Sequence, residues 1–235
     1  MIYNITSSID STMYEQYENR NTGIDQVLQI EKIISESSTN NTFNSRILTK
    51  FNLGYISQSI LDGHIKDTFK ATLKLYTHEA VAIPFTYEIQ AYAVSQSWEM
   101  GVGRSTHNPK TTEGVSWTYR DGESAGTAWQ TASAAMTTGT TASFANLTNV
   151  GGGSWWTASG ASQTFEYETT DLSLDVTGIV TGWISGSWNG GQALANDGFI
   201  VLRPELQESN GSNFGQLSFF SKETHTIYHP KLEIA

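Results

Sequence analysis

The sequence predicts an all-β fold, an antiparallel β-sandwich, and three observations carry that prediction. Several segments alternate apolar and polar residues with a period of two, large aromatics sit on short glycine-punctuated runs, and helical periodicity is confined to one short stretch. At 235 residues the chain is long for one domain, but β-sandwiches often reach this length, so residues 1–235 are expected to form a single domain.

The alternation is clearest at 70–76, where Ala71, Leu73 and Leu75 share one face and Lys70, Thr72 and Lys74 the other. Residues 86–94 repeat it, and 46–53, 164–169, 198–203, 216–221 and 226–234 are further strand candidates. Residues 24–34 fit neither a strand nor a helix period cleanly. Around 175–186, Val176, Ile179, Val180, Trp183 and Ile184 form one helical stripe, which Asp175 or Thr177 can cap at its start and Gly186 at its end. Between 122 and 163 the chain turns rich in Thr, Ala, Ser and Gly, with three consecutive glycines at 151–153 and the pair Trp155-Trp156. So long a structureless loop is unusual inside a compact domain. The stretch is therefore expected to be an insertion, either a loop that docks on a partner or extra edge strands.

Composition excludes several function classes. Cysteine is absent, which removes disulfides, thiolate nucleophiles and cysteine-based zinc sites. A net charge of −10 with 13 scattered basic residues argues against a nucleic-acid partner, because phosphate binding needs Lys and Arg to displace counterions. No run of 18 apolar residues occurs, and the first residues lack a basic region followed by an apolar block. The expectation is a chain with no membrane insertion and no signal peptide. Charged residues make up only 15%, against a typical share of about 25%; Thr, Ser, Asn and Gly carry the surface polarity instead.

Catalytic and metal-binding patterns are scarce. His225 and His229 have the i, i+4 spacing of helical metal ligands, but Thr226, Ile227, Tyr228 and Pro230 favour an extended segment. A four-residue step there spans about 13 Å, too far for one ion. Glu99, Glu113, Asp121 and Glu123 include a possible acid/base pair for glycoside cleavage, yet Asp121-Gly122 reads first as a turn. Asp171, Asp175 and Asp197 are candidate ligands of a structural calcium ion, without the alternating oxygen ligands of an EF-hand. Gly101-Val-Gly103 lacks the last glycine of a dinucleotide-binding loop and reads as a turn. The expectation is a protein that is not an enzyme and needs no cofactor and no metal. Aromatics remain: Trp98, Trp117, Tyr119, Trp129, Trp155 and Trp156 supply either a platform on which sugar rings stack or anchors in the core or between subunits.

The order of several segments resembles the DNRLRE-type domain, a jelly-roll-like β-sandwich also classed among carbohydrate-binding modules. The segments are 46–53 (RILTKFNL), 71–76 (ATLKLY), 91–99 (AYAVSQSWE), 114–122 (GVSWTYRDG), Asp175-Val-Thr177 leading to Trp183, 196–199 (NDGF), 219–223 (FFSKE) and 230–234 (PKLEI). Asn52 stands where the family usually has Asp, and the 122–163 stretch is expanded. Openings such as 10–14 (DSTMY) and 22–25 (TGID) look like those of freestanding versions in tailed-phage particles. The resemblance implies a virion structural protein of tail, baseplate, collar or fibre, assembled in the host cytoplasm. Its partners would be other virion proteins and copies of itself, joined through aromatic anchors and extended edges such as 1–5 and the 122–163 stretch. It equally allows a carbohydrate-binding module or receptor-binding adhesin contacting a surface glycan through exposed Trp and Tyr, or a capsid decoration protein of the same fold.

Overall fold

The computed structural model describes residues 2–35, 38–66, 68–83, 87–122, 126–129, 141–142, 151–165, 171–188, 192–212 and 214–235. Its strands are β1 (Tyr3–Thr6), β2 (Ile9–Tyr14), β3 (Val27–Ser35), β4 (Ser38–Lys50), β5 (Ala71–Leu75), β6 (Thr77–Val81), β7 (Tyr87–Ala93), β8 (Thr141–Ala142), β9 (Trp155–Trp156), β10 (Ala161–Phe165), β11 (Leu172–Asp175), β12 (Ser187–Trp188), β13 (Gln192–Ala193), β14 (Phe199–Leu202), β15 (Gly215–Phe220) and β16 (Lys231–Ile234). Helices α1 (Gly54–Leu61), α2 (Thr177–Ser185) and α3 (Glu205–Ser209) join them.

Among the described residues all strand pairs are antiparallel, and they build the expected sandwich. The smaller sheet has the order β1-β16-β5-β11, and the larger runs β10-β7-β14-β4-β3-β15-β6. β4 is shared: its second half pairs with β2, from Ile9↔Lys50 to Tyr14↔Ser45, and its first half with β3. Alternation places Leu73, Leu75, Leu174, Leu232 and Ile234 of the smaller sheet against Leu28, Ile47, Ile89, Val201 and Phe219 of the larger. Burying each such side chain contributes about 1.5–3 kcal/mol. Along one side the Gln163 side chain links the sheets, accepting from Ser173 N–H at 2.7 Å and donating to the Asp171 carbonyl at 3.0 Å.

α2 closes one end with Ile179, Val180 and Trp183, the last edge-on to Phe199 at 4.6 Å. Asp175 Oδ1 accepts the Thr177 N–H at 3.1 Å, and Gly186 ends the helix with φ 69°. α1, not foreseen from the sequence, adds Ile56 to the same core. The 24–34 ambiguity resolves as β3. The 226–234 candidate becomes a strand only from Lys231, after Pro230, and the 46–53 candidate stops at Lys50 before the chain turns into α1. The last residues of the 122–163 stretch begin β10, an edge strand of the larger sheet registered on β7 from Ala161↔Ala91 to Phe165↔Tyr87. The rest of the 164–169 candidate, and 130–140 and 143–150, lie outside the described residues.

Candidate functional site

A second apolar layer covers the outer face of the larger sheet. β14 is buried on both sides because Phe199 and Val201 face the inter-sheet core, while Ile200 and Leu202 face outward with Met13, Leu48 and Val94. Onto them fold Trp98, Trp117, Trp129 and Trp155, together with Val115. Only 4%, 4% and 0% of Trp98, Trp117 and Trp155 remains exposed, so none of the three offers a ring face to a sugar. The reason is chain direction: the glycine-rich runs after β7 double back over the sheet instead of projecting from it. Indole donors are used internally, Trp98 Nε1 on the Asp197 carbonyl at 2.8 Å and Trp129 Nε1 on the Ser116 carbonyl at 3.1 Å. Tyr119 and Trp156 stay half-buried, Tyr119 bridged to Ala128 and Trp156 packed on the inter-sheet core.

Arg46 lies in the centre of this layer. Its guanidinium stands 4.7 Å from the Trp117 ring and 5.3 Å from the Trp155 ring. It donates to both carboxylate oxygens of Glu208 at 3.2 and 2.6 Å, and to the Gly152 carbonyl at 2.6 Å. This bidentate pair is buried and holds α3 and the 151–153 turn against the sheet. Asn21 fastens the other loop: Nδ2 donates to the Met100 and Val115 carbonyls at 2.7 and 2.8 Å, while Oδ1 accepts from Gly23 and Gly103 N–H. Every polar atom of that buried amide is used.

The other sequence candidates are not gathered into one site. Asp171 accepts the Thr77 N–H, Asp175 accepts the Thr177 N–H and hydroxyl just before α2, and Asp197 pairs with Lys50 at 3.6 Å. Asp121 accepts the Thr127 N–H, and Glu123 lies outside the described residues. His225 sits in a bend and His229 Nδ1 meets the Lys222 carbonyl. Among the described residues no three metal-ligating side chains come together, and no helix is long and apolar enough to cross a membrane.

Two open surfaces among the described residues carry groups suited to a partner or ligand. The first is the free side of β1, which has β16 as its only described neighbour. Its sequence Tyr-Asn-Ile-Thr carries none of the charges or prolines that usually blunt such an edge. Ile2 beside it is 60% exposed, and Tyr3 meets Tyr55 of α1 with ring centroids 6.3 Å apart. Tyr55 and Leu61 are themselves 71% and 81% exposed.

The second is a cleft of about 270 Å³ beside the start of β3, where Tyr14, Asp25, Val27, Gln29, Arg104 and Ser105 converge. Tyr14 Oη donates to Gln29 Oε1 at 2.5 Å, and Asp25 accepts the Ser105 N–H on both oxygens at 3.2 and 3.1 Å. Burial raises the Asp25 carboxyl above its ordinary range, opposed by the Ser105 hydrogen bonds and the Arg104 charge. Burial likewise raises Glu31. Asp25 and Arg104 lie 79 residues apart in the chain and meet because their loops pair, Ile24 N–H donating to the Gly103 carbonyl at 3.0 Å, so no local sequence pattern announces the cleft. The sequence matches no protein-family model, and no curated protein matches it, so the assignment of function rests on these geometries and on the segment order of the chain itself.

Proposed function

We propose that the protein is a non-enzymatic structural component of a tailed-phage particle, acting through protein–protein assembly in the tail, baseplate, collar or fibres. The observation that carries the assembly reading is the β1 edge: an uncharged, proline-free strand with one free side, next to exposed Ile2, Tyr55 and Leu61. Such an edge accepts another strand by backbone pairing, and the adjacent apolar side chains add buried area to the joint. The low charge content favours such contacts, and the phage context comes from the resemblance of the segment order and of the 10–14 and 22–25 openings. Burial of Trp98, Trp117 and Trp155 supports the fold-fixing role for these residues over a receptor-binding one. Mass spectrometry of purified particles tests the proposal: the protein is expected at several copies per particle, and its absence from particles would overturn it. Replacing Ile2 and Tyr55 by Lys is expected to leave the isolated chain folded and to block its incorporation.

A further inference from the structure

Lys32 of β3 is a buried cation, 1% exposed. Its Nζ donates to the Gln207 carbonyl at 2.7 Å, the Ser212 carbonyl at 3.0 Å, the Asn210 carbonyl, and the Asn210 side-chain oxygen Oδ1 at 3.0 Å. An ammonium has three protons for these four oxygens, and no carboxylate is among them. The Phe214 ring centre lies 5.4 Å from Nζ. Arg203, equally buried, has Nε and Nη1 without a hydrogen-bond partner. Burial and the Arg203 charge, opposed by Glu208, lower the Lys32 ammonium from 10.5 to about 8. Near pH 8 about half of the molecules therefore carry a free amine there, more than a hundredfold above an ordinary lysine.

This amine faces an amide placed for attack. With Nζ 3.0 Å from Oδ1 and a C=O bond of about 1.23 Å, Asn210 Cγ is no more than about 4.2 Å from Nζ, against about 3–3.5 Å for a near-attack pair. Ser212 N–H donates to the same Oδ1 at 3.0 Å, so a donor already stands where negative charge develops when the carbonyl is attacked. Desolvation and a neighbouring cation are the two means by which a lysine becomes a nucleophile, and Lys32 has both. We infer that Lys32 and Asn210 react with each other to form an intramolecular isopeptide bond. Nζ adds to Cγ, the Cγ–Nδ2 bond breaks, and Nδ2 leaves as ammonia, taking up the proton that Nζ loses. Glu208, whose charge reaches Lys32, is the carboxylate at hand to carry that proton. Nothing else is consumed. The bond ties β3 to the segment that follows α3, 178 residues along the chain, and the inference is independent of membership in a particle.

Mass spectrometry of the full chain, incubated folded at about pH 8 and then denatured, reads the reaction directly. The wild type is expected to be lighter than its sequence by one ammonia, and its protease digest to contain a branched peptide joining Lys32 to Asn210. Lys32→Arg and Asn210→Ala are each expected to lack the branched peptide. Asn210 is only half-buried, so its variant keeps the comparison valid if Lys32→Arg fails to fold. Asn210 precedes Gly211, whose backbone nitrogen can close a succinimide with the same loss of ammonia. That product is unbranched and is cleaved by hydroxylamine, which leaves an isopeptide bond intact. A wild-type chain at full mass, a light chain whose digest holds the succinimide and no branched peptide, or a Lys32 branch that persists in Asn210→Ala overturns the inference.

Discussion

Replacing Asp10 by Asn removes a carboxyl group that is fully buried where β2 meets the turn at 221–223. Asp10 Oδ2 accepts from Ser7 Oγ at 3.1 Å and from the Lys222 N–H at 2.8 Å, while Oδ1 has no hydrogen-bond partner. Burial, only partly offset by these bonds and by the Lys222 charge, pushes the group from 3.8 up to about 7. The folded chain therefore holds a proton that the unfolded chain releases between those two values. Stability consequently falls as pH rises from about 4 to about 7 and is flat with respect to this group above that. At about 1.4 kcal/mol per pH unit, the ionised group costs roughly 4 kcal/mol at pH 8, of which about 2–3 kcal/mol develops between pH 5 and pH 8. Urea and thermal unfolding of the wild-type and Asp10→Asn chains at both pH values isolate this contribution, because all other titrating groups cancel in the difference. The variant is expected to gain about 2–3 kcal/mol relative to wild type on going from pH 5 to pH 8, or about 5–10 °C in Tm. An equal difference at the two pH values would refute the reasoning.

Three further outcomes follow from the outer layer and its fastenings. Trp117→Ala is expected to cost about 3–5 kcal/mol in urea unfolding and to unseat Arg46, seen as a loss of near-ultraviolet dichroism from the remaining indoles. Gly152 has φ 82°, and a Cβ there would lie 2.4 Å from Arg46 Nη1 and 2.9 Å from Trp117; Gly152→Ala is expected to lower Tm by several degrees, and Arg46→Ala in the same chain to recover none of the backbone strain. Asn21→Ala leaves two buried N–H groups and two carbonyls without their partner and is expected to cost more than about 3 kcal/mol, with increased proteolysis between residues 100 and 115.

Much of the sandwich was legible because its strands obey the rule that alternate residues face alternate sides. β5 and β7 bury every second residue as their sequences foretell, and the α2 stripe ends at the glycine expected to stop it. The rule fails where both faces are covered: β14 reads Phe-Ile-Val-Leu, with no alternation, since the second layer buries its outer side. That layer is built by loops, whose path is set by contacts such as Asn21 to Val115, 94 residues apart. No local pattern announces these contacts, so the sequence could not tell platform tryptophans from core ones. The ring contacts among Tyr76, Phe220 and Tyr228 are illegible for a like reason, since the three come from separate segments and are ordinary in each.

The sharing of β4 has a kinetic meaning. Its pairings with β2 and β3 lie within residues 9–50, so this three-stranded unit closes only short loops and is expected to form early. β1, by contrast, lies immediately before that unit but pairs with residues 231–234 at the far end of the chain, and docks only once β16 is in place. In hydrogen exchange, the amides of β1 are expected to open well before those of β4. The strand proposed as the docking edge would then also be the least firmly held, able to adjust its register to a neighbouring strand.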